Sequence, residues 1–301
     1  MTMKMKLELD TLRTIANYRI LSVTQITSLL FKNKKAARRR INRLGDMGLL
    51  ENVGFSRTGG RDETLYSVSP RGASLLREEN VLPCKTPNKW ITREGVFAVD
   101  HQILMNWFHV HLEYVARQFD NMECNVLTEN SPFHLKESGD VPVISVPAPD
   151  SDDNTKAKSF VPDATFSLTD NKQEKTVLFF LEVDRGTESL DGPEGFAQKI
   201  INYKHYFRSE RYKYYERICL RELNGFRLLV LTHVAKNEVR ISRLVREMSP
   251  SSFVWVTSAE KMFEQGLAAK IWSAGGDMNA DADTILNAKM KMSKNLVRSI
   301  K

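Results

Sequence analysis

Apolar residues recur at helical spacing through most of the first 80 positions and give way further on to apolar runs of strand length. "ELDTLRTIANYRILS" and "SVTQITSLLF" predict two helices. "NKKAARRRINRLGDMGLL" predicts a third, in which Asn33 caps the start and Ala37, Ile41 and Leu44 form one narrow stripe toward a core. The opposite arc of that helix carries Lys35, Arg38, Arg39 and Asn42. "VGFSRTGGRDETLYSVSP" then reads as two short strands about a Gly59-Gly60 turn, with Arg57 and Arg61 flanking the tip, and a closing helix ends near residue 80.

The stretch "NVLPCKTPNKWITREG" contains two prolines and predicts a boundary, giving a domain over 1–85, a linker over 86–96, a second domain over 97–273 and a tail over 274–301. "VFAVDHQILMNWFHVHLEYVARQF" predicts an amphipathic helix. Its inner side would be Leu104, Phe108, Val115 and Phe119, and its outer side Gln102, Asn106, His109, Glu113 and Arg117. Strands "ECNVLTE", "FVPDATFSL" and "KTVLFFLEV", a helix "PEGFAQKIINYKHYF" and a strand "FRLLVLTH" follow, in the order α, β, β, β, α, β. "NEVRISRLVREM", "SFVWVTS" and "AEKMFEQGLAAKIW" continue the alternation, and the Pro, Ser and Asp-rich segment between the first two strands is expected to be a surface loop.

Charge sharpens the first domain. The 301 residues carry 44 Lys and Arg against 37 Asp and Glu, a net +7, and a surplus of this size suits a polyanionic partner. It is concentrated: seven basic residues and no acidic one lie between Lys32 and Arg43. Lys35, Arg38, Arg39, Asn42 and Arg43, with Arg57 and Arg61, are therefore the expected contacts to such a partner, and where it is DNA most would meet phosphate and a few the bases. The three cysteines are far apart and lack metal-site spacing, so reduced thiols in a cytoplasmic protein are expected. The polar start "MTMKMKLELD" and the absence of an apolar run of about 18 residues predict no membrane segment.

The second domain carries its chemistry in carboxylates. Strand residues two apart share a face, so Glu182 and Asp184 in "LEVD" point to one side, and Asp163 in "VPD" sits on the preceding predicted strand. Three such carboxylates at one sheet edge are costly unless a cation or a proton neutralises them; a divalent metal is the simplest answer, and oxygen ligands favour Mg²⁺ or Mn²⁺. Lys199 on the following helix, or Arg185, would add the cation that stabilises a phosphodiester transition state. A competing site is "HVH" at His109 to His111 with Tyr203 or Tyr206 as nucleophile, but helical periodicity sets positions i and i+2 about 200° apart. "YKHYFRSERYKYYERI" admits two readings, a surface that stacks nucleic acid bases or a helix packing tyrosines onto the sheet.

Three helices, a two-stranded hairpin and a basic third helix resemble the winged helix-turn-helix fold over about the first 80 residues. Asp163, then Glu182-x-Asp184, in an αβββαβ order resemble the PD-(D/E)xK nuclease fold, with aspartate at 184 where that pattern carries lysine and Lys199 as the residue that would take its role. Together with "DHQILMNWFHVHL", "PDATFSL" and "FFLEVDRGTES", the whole resembles the replication-relaxation family up to about residue 270; His101 and Asn106 match its helix motif, and Glu182, Asp184, Arg185, Gly186 and Thr187 its most distinctive segment. The resemblance implies an α+β protein, a winged helix followed by an α/β restriction-endonuclease-like domain with a mixed sheet, acting on double-stranded DNA of a plasmid or integrative element. A Mg²⁺-dependent nicking or cleaving site at Asp163, Glu182, Asp184 and Lys199 is the first expectation, with His101, Glu113, Arg185 and Tyr203 in support. The alternative is a non-catalytic regulator or replication initiator whose second domain serves dimerisation or DNA clamping. Homodimerisation is open.

Overall fold

The structure is a computed structural model that describes residues 3–56, 63–127, 160–186, 189–190, 192, 195–279 and 283–285. The hairpin tip with Arg57 and Arg61, the expected surface loop, Thr187 and most of the tail lie outside the described residues. What is described mixes helices with two sheets and divides into two compact units between His111 and Leu112.

The first unit contains α1 (Met3–Tyr18), β1 (Leu21–Ser22), α2 (Val23–Leu30), α3 (Lys34–Asp46), β2 (Leu50–Ser56), β3 (Glu63–Val68) and α4 (Pro70–Glu78). Each helix start has a local cause. Ser22 and Gln25 exchange a reciprocal capping box at α2, Asn33 accepts from the Ala36 amide at 2.9 Å, and Ser69 caps α4 with Pro70 in its first turn. The Ala37, Ile41 and Leu44 stripe of α3 is buried as its spacing predicts, whereas Lys35, Arg38, Arg39 and Asn42 are exposed. The antiparallel strands run in the order β1-β3-β2, with a register shift between Asn52 and Gly54. Gly72 lets α4 start against the chain before it, since a Cβ there would come within 2.3 Å of the Leu49 carbonyl oxygen.

The stretch expected as a linker is structured: two 3-10 turns, Asn88–Trp90 and Arg93–Gly95, whose Trp90 and Gly95 carbonyls accept from Arg19 at 3.2 and 3.4 Å. α5 (Val99–Gln118) follows, and its first part departs from the amphipathic expectation. Gln102, Asn106 and His109 are buried together with Leu104, Phe108 and Trp107. Polar atoms can be buried there because they find partners. Gln102 donates to Asn106 at 2.9 Å, Asn106 donates to the carbonyls of Tyr18 and Ile20, and Gln25 donates to Ile103 O at 3.2 Å. Periodicity equates polar with exposed, and this helix breaks that equation by internal hydrogen bonding.

The second unit is built on a six-stranded sheet. In chain order it has β4 (Met122–Val126), β5 (Ala164–Asp170), β6 (Lys175–Asp184), α6 (Phe196–Arg208), α7 (Glu216–Cys219), β7 (Phe226–Thr232), α8 (Ala235–Glu247), β8 (Val254–Ser258), α9 (Ala259–Gln265) and β9 (Ser273–Ala274). The spatial order is β4-β5-β6-β7-β8-β9. β4, β5 and β6 form the expected antiparallel meander, β7 and β8 add in parallel, and β9 returns antiparallel. On one face Leu178, Phe180, Leu228, Val230, Val254 and Val256 alternate into a layer covered by α6 and α8. Phe180 is its centre, with ring contacts to Tyr203, Tyr206, Tyr215 and Phe226 at centroid distances of 4.9 to 5.9 Å.

Candidate functional site

Strand parity turns Glu182 toward the same layer as Leu178 and Phe180, so the carboxylate enters at the end of the aromatic core and under α6. α6 packs through Phe196, Ile200 and Tyr203, spaced four and three residues apart, and Lys199 stands beside that stripe. Lys199 Nζ lies 2.9 Å from Glu182 Oε2, and the Tyr203 hydroxyl donates to Glu182 Oε1 at 2.8 Å. Glu182 is 4% exposed. Asp163 stands one residue before β5, outside the strand, where its amide donates to Leu181 O and its Oδ2 accepts from the Val183 amide at 2.7 Å. Antiparallel register carries Ala164 opposite Leu181, which brings Asp163 opposite Glu182.

Electrostatics follows from that packing. Burial raises the Glu182 carboxyl from 4.5 to about 7, the nearby Asp163 charge pushes the same way, and Lys199 and Tyr203 oppose it. The 2.9 Å ion pair favours the carboxylate, but desolvation of a wholly enclosed group is the larger effect. Tyr203 is driven well above its ordinary value, first by burial and then by Glu182. Phe160 closes over this tyrosine edge to face, with centroids 4.6 Å apart.

Of the residues singled out by sequence, Asp163, Glu182, Lys199 and Tyr203 are brought together. The expected convergence of three carboxylates is not met: among the described residues, no group of three His, Cys, Asp or Glu side chains is arranged to hold a metal. Asp184 shares the parity of Glu182 but is buried at the last position of β6, opposite Thr232 of β7. Arg185 follows it, half-buried, and then Gly186 turns with φ +77, its missing Cβ leaving room for the Asn237 side chain. Glu113 is exposed and pairs with Arg117 at 3.4 Å, and His101 belongs to the first unit.

The His-x-His alternative fails on its own terms. His109 and His111 are buried on a helix, and burial lowers His111 to about 3. Tyr203 and Tyr206 are buried as well, with Tyr203 committed to Glu182. The sequence reading missed one buried pair: Glu238, 1% exposed, accepts from Lys261 Nζ at 2.5 Å. Its signal was present, since Glu238, Ile241 and Val245 fall on a single helical stripe of α8.

In the first unit, α3 presents Lys35, Arg38, Arg39 and Asn42 outward, as the pattern predicts. Arg43 is different. Its Nε lies 2.9 Å from Glu8 Oε1, which also receives Arg40 Nη1 at 3.2 Å, so two of the seven cations are held against α1.

No helix among the described residues is long and apolar enough to cross a membrane. Comparisons with curated proteins and with solved structures find no match. The family model described as replication-relaxation matches residues 12–219, a span that runs from α1 through α7 and includes Asp163, Glu182, Lys199 and Tyr203, so the chain belongs to the replication-relaxation family.

Proposed function

We propose that this chain is a DNA-binding protein of a plasmid or integrative element, with a winged helix in its first unit and a restriction-endonuclease-like second unit that nicks or cleaves DNA. The observation that carries the nuclease reading is the meeting of Asp163, just before β5, with Glu182 of β6 and Lys199 of α6. For the first unit, support comes from the exposed arc of α3, whose Lys35, Arg38 and Arg39 suit phosphates while Asn42 suits a base edge.

Asp163 and Glu182 are hard oxygen donors on adjacent chain segments, a pair that fits one Mg²⁺ keeping several waters. Such an ion, when bound, supplies an activated water and charge neutralisation at a phosphodiester. The chain's own part is to hold the carboxylates against the sheet and to aim the Lys199 ammonium at developing negative charge. Tyr203 orients Glu182 from the enclosed side.

A second reading is supported by a specific observation. Both oxygens of Glu182 already have partners in Lys199 and Tyr203, and Asp184 stands where the nuclease pattern carries lysine. On that reading the cluster is a structural remnant, and the second unit clamps DNA or dimerises in a regulator or replication initiator.

The full chain incubated with supercoiled plasmid and Mg²⁺ or Mn²⁺ decides between them. The nuclease reading expects nicking that Asp163→Asn and Glu182→Gln both abolish, and calorimetric Mg²⁺ binding that Asp163→Asn removes. Neither nicking nor Mg²⁺ binding by a folded wild type would leave the non-catalytic reading standing.

A further inference from the structure

The aromatic and basic run that begins at Tyr203 divides in the fold. Tyr203, Tyr206, Tyr212 and Tyr215 are buried, while Phe207 remains 47% exposed and Arg208 is exposed beside it. Phe207 stacks on Tyr212 with ring planes 7° apart and centroids at 5.6 Å. Gly225, at φ +146, keeps the space next to that ring clear, because a Cβ would approach Phe207 Cε2 to 3.1 Å. Phe207, Gly225, Phe226 and Phe253 are among the residues lining a groove of about 560 Å³. It opens where β7 and β8 begin, whereas Glu182 and Asp184 stand near the end of the parallel β6.

The charge in this groove has one sign. Lys204, Arg208 and Arg227 line it, and among the described residues no acidic side chain does. Lys204 Nζ donates to the Met248 carbonyl, and its proton affinity is lowered by burial and by the like charge of Arg208. Lys204 and Arg208 stand one turn apart on α6 and both line the groove, where no carboxylate accompanies them among the described residues, an arrangement that suits an anionic occupant. An exposed flat ring beside them adds what a base requires, and the volume suits one nucleotide unit. Because Phe207 and Val177 are open to solvent, the groove flanks its ligand along one side, as a passing chain requires, and does not enclose it.

We propose that this groove binds a single strand of nucleic acid, with a base against Phe207 and the adjoining phosphate at Lys204 and Arg208. Arg227, whose guanidinium lies 5.3 Å over the Trp255 ring, continues the cationic path. The site lies wholly on residues of the second unit and does not depend on catalysis at Glu182.

The test is fluorescence anisotropy of the full chain with a labelled oligothymidylate of about 16 nucleotides. Phe207→Ala is expected to weaken its binding by at least roughly fivefold, the loss of one stacked base. Arg208→Ala is expected to weaken binding and to flatten its salt dependence. Phe207→Trp should retain binding, and circular dichroism should show each variant folded. Duplex binding should be unchanged by Phe207→Ala. Wild-type affinity in Phe207→Ala and Arg208→Ala overturns the proposal. So does inorganic polyphosphate competing as well as the oligonucleotide while Phe207→Ala is silent, since that describes an anion site with no base contact.

Discussion

Lys199 and Glu182 meet at 2.9 Å although they come from different elements, because Ile200 and Tyr203 pack α6 onto the Phe180 layer and bring Lys199, beside that stripe, within reach of the β6 carboxylate. Lys199 is partly open to solvent and Glu182 is enclosed, so the lysine serves the glutamate more than the reverse. At pH 8, above the Glu182 value of about 7, Lys199→Met should therefore destabilise the second unit by up to about 3 kcal/mol, the cost of stranding one member of a buried pair. Urea denaturation measures it. Adding Glu182→Gln to Lys199→Met should recover much of the loss, and a single variant as stable as wild type would show that the pair does not support the fold.

The raised Glu182 carboxyl makes a pH prediction with a definite sign. Folded-state pKa is about 7 against 4.5, so between those values the folded chain retains a proton that the unfolded chain has released. The stabilisation is complete below pH 4.5 and falls as pH rises through about 7, by up to about 3 kcal/mol. The difference in stability between wild type and Glu182→Gln, followed from pH 5 to about 8 by denaturant titration, should shift against wild type up to about pH 7 and then level off. A difference that stays flat or moves the other way would contradict the assigned desolvation.

Legibility in the sequence tracked how local the cause was. The Asn33 cap and the Ala37, Ile41 and Leu44 stripe are set by spacing within one helix, and both are present. The meander that carries Asp163 toward Glu182 could be read because each strand shows its own apolar run and connection. Distant partners were not legible. Arg43 looks like its exposed neighbours until Glu8 of α1 takes it, and Gln102 and Asn106 look solvent-facing until they bond each other and the carbonyls of Tyr18 and Ile20. Asp184 has the right parity for the cluster, but parity alone does not say how far along a strand a site extends.

The Tyr203 hydroxyl is committed to Glu182 Oε1 at 2.8 Å, which on the proposed reading makes Tyr203 a positioning residue and not a DNA nucleophile. Tyr203→Phe keeps the ring among Phe160, Phe180 and Phe226 and removes only the donor to Glu182 Oε1. The expected cost is about 1.5 to 3 kcal/mol, as for a hydrogen bond to a charged group. If the wild type nicks plasmid, the variant should still nick it, and no covalent tyrosine adduct should appear on denaturing gels. An adduct that vanishes in Tyr203→Phe would overturn this assignment.

The α3 surface makes the last prediction, and it turns on which arginines are already occupied. Arg38 and Arg39 are exposed, whereas Arg43 shares Glu8 with Arg40. Replacing Arg38 and Arg39 together with Ala should abolish most duplex binding and reduce the slope of log affinity against log salt by roughly two, one for each lost phosphate contact. Arg43→Ala should cost stability instead, by no more than about 1 kcal/mol because the side chain is partly screened by solvent, with a smaller loss of DNA affinity. Anisotropy titrations of a labelled duplex at several salt concentrations, with thermal melts of each variant, measure both. Equal affinity losses for the Arg43 and Arg38/Arg39 variants would mean that the Glu8 pairing gives way on DNA, and undiminished binding by the double variant would remove α3 as the contact surface.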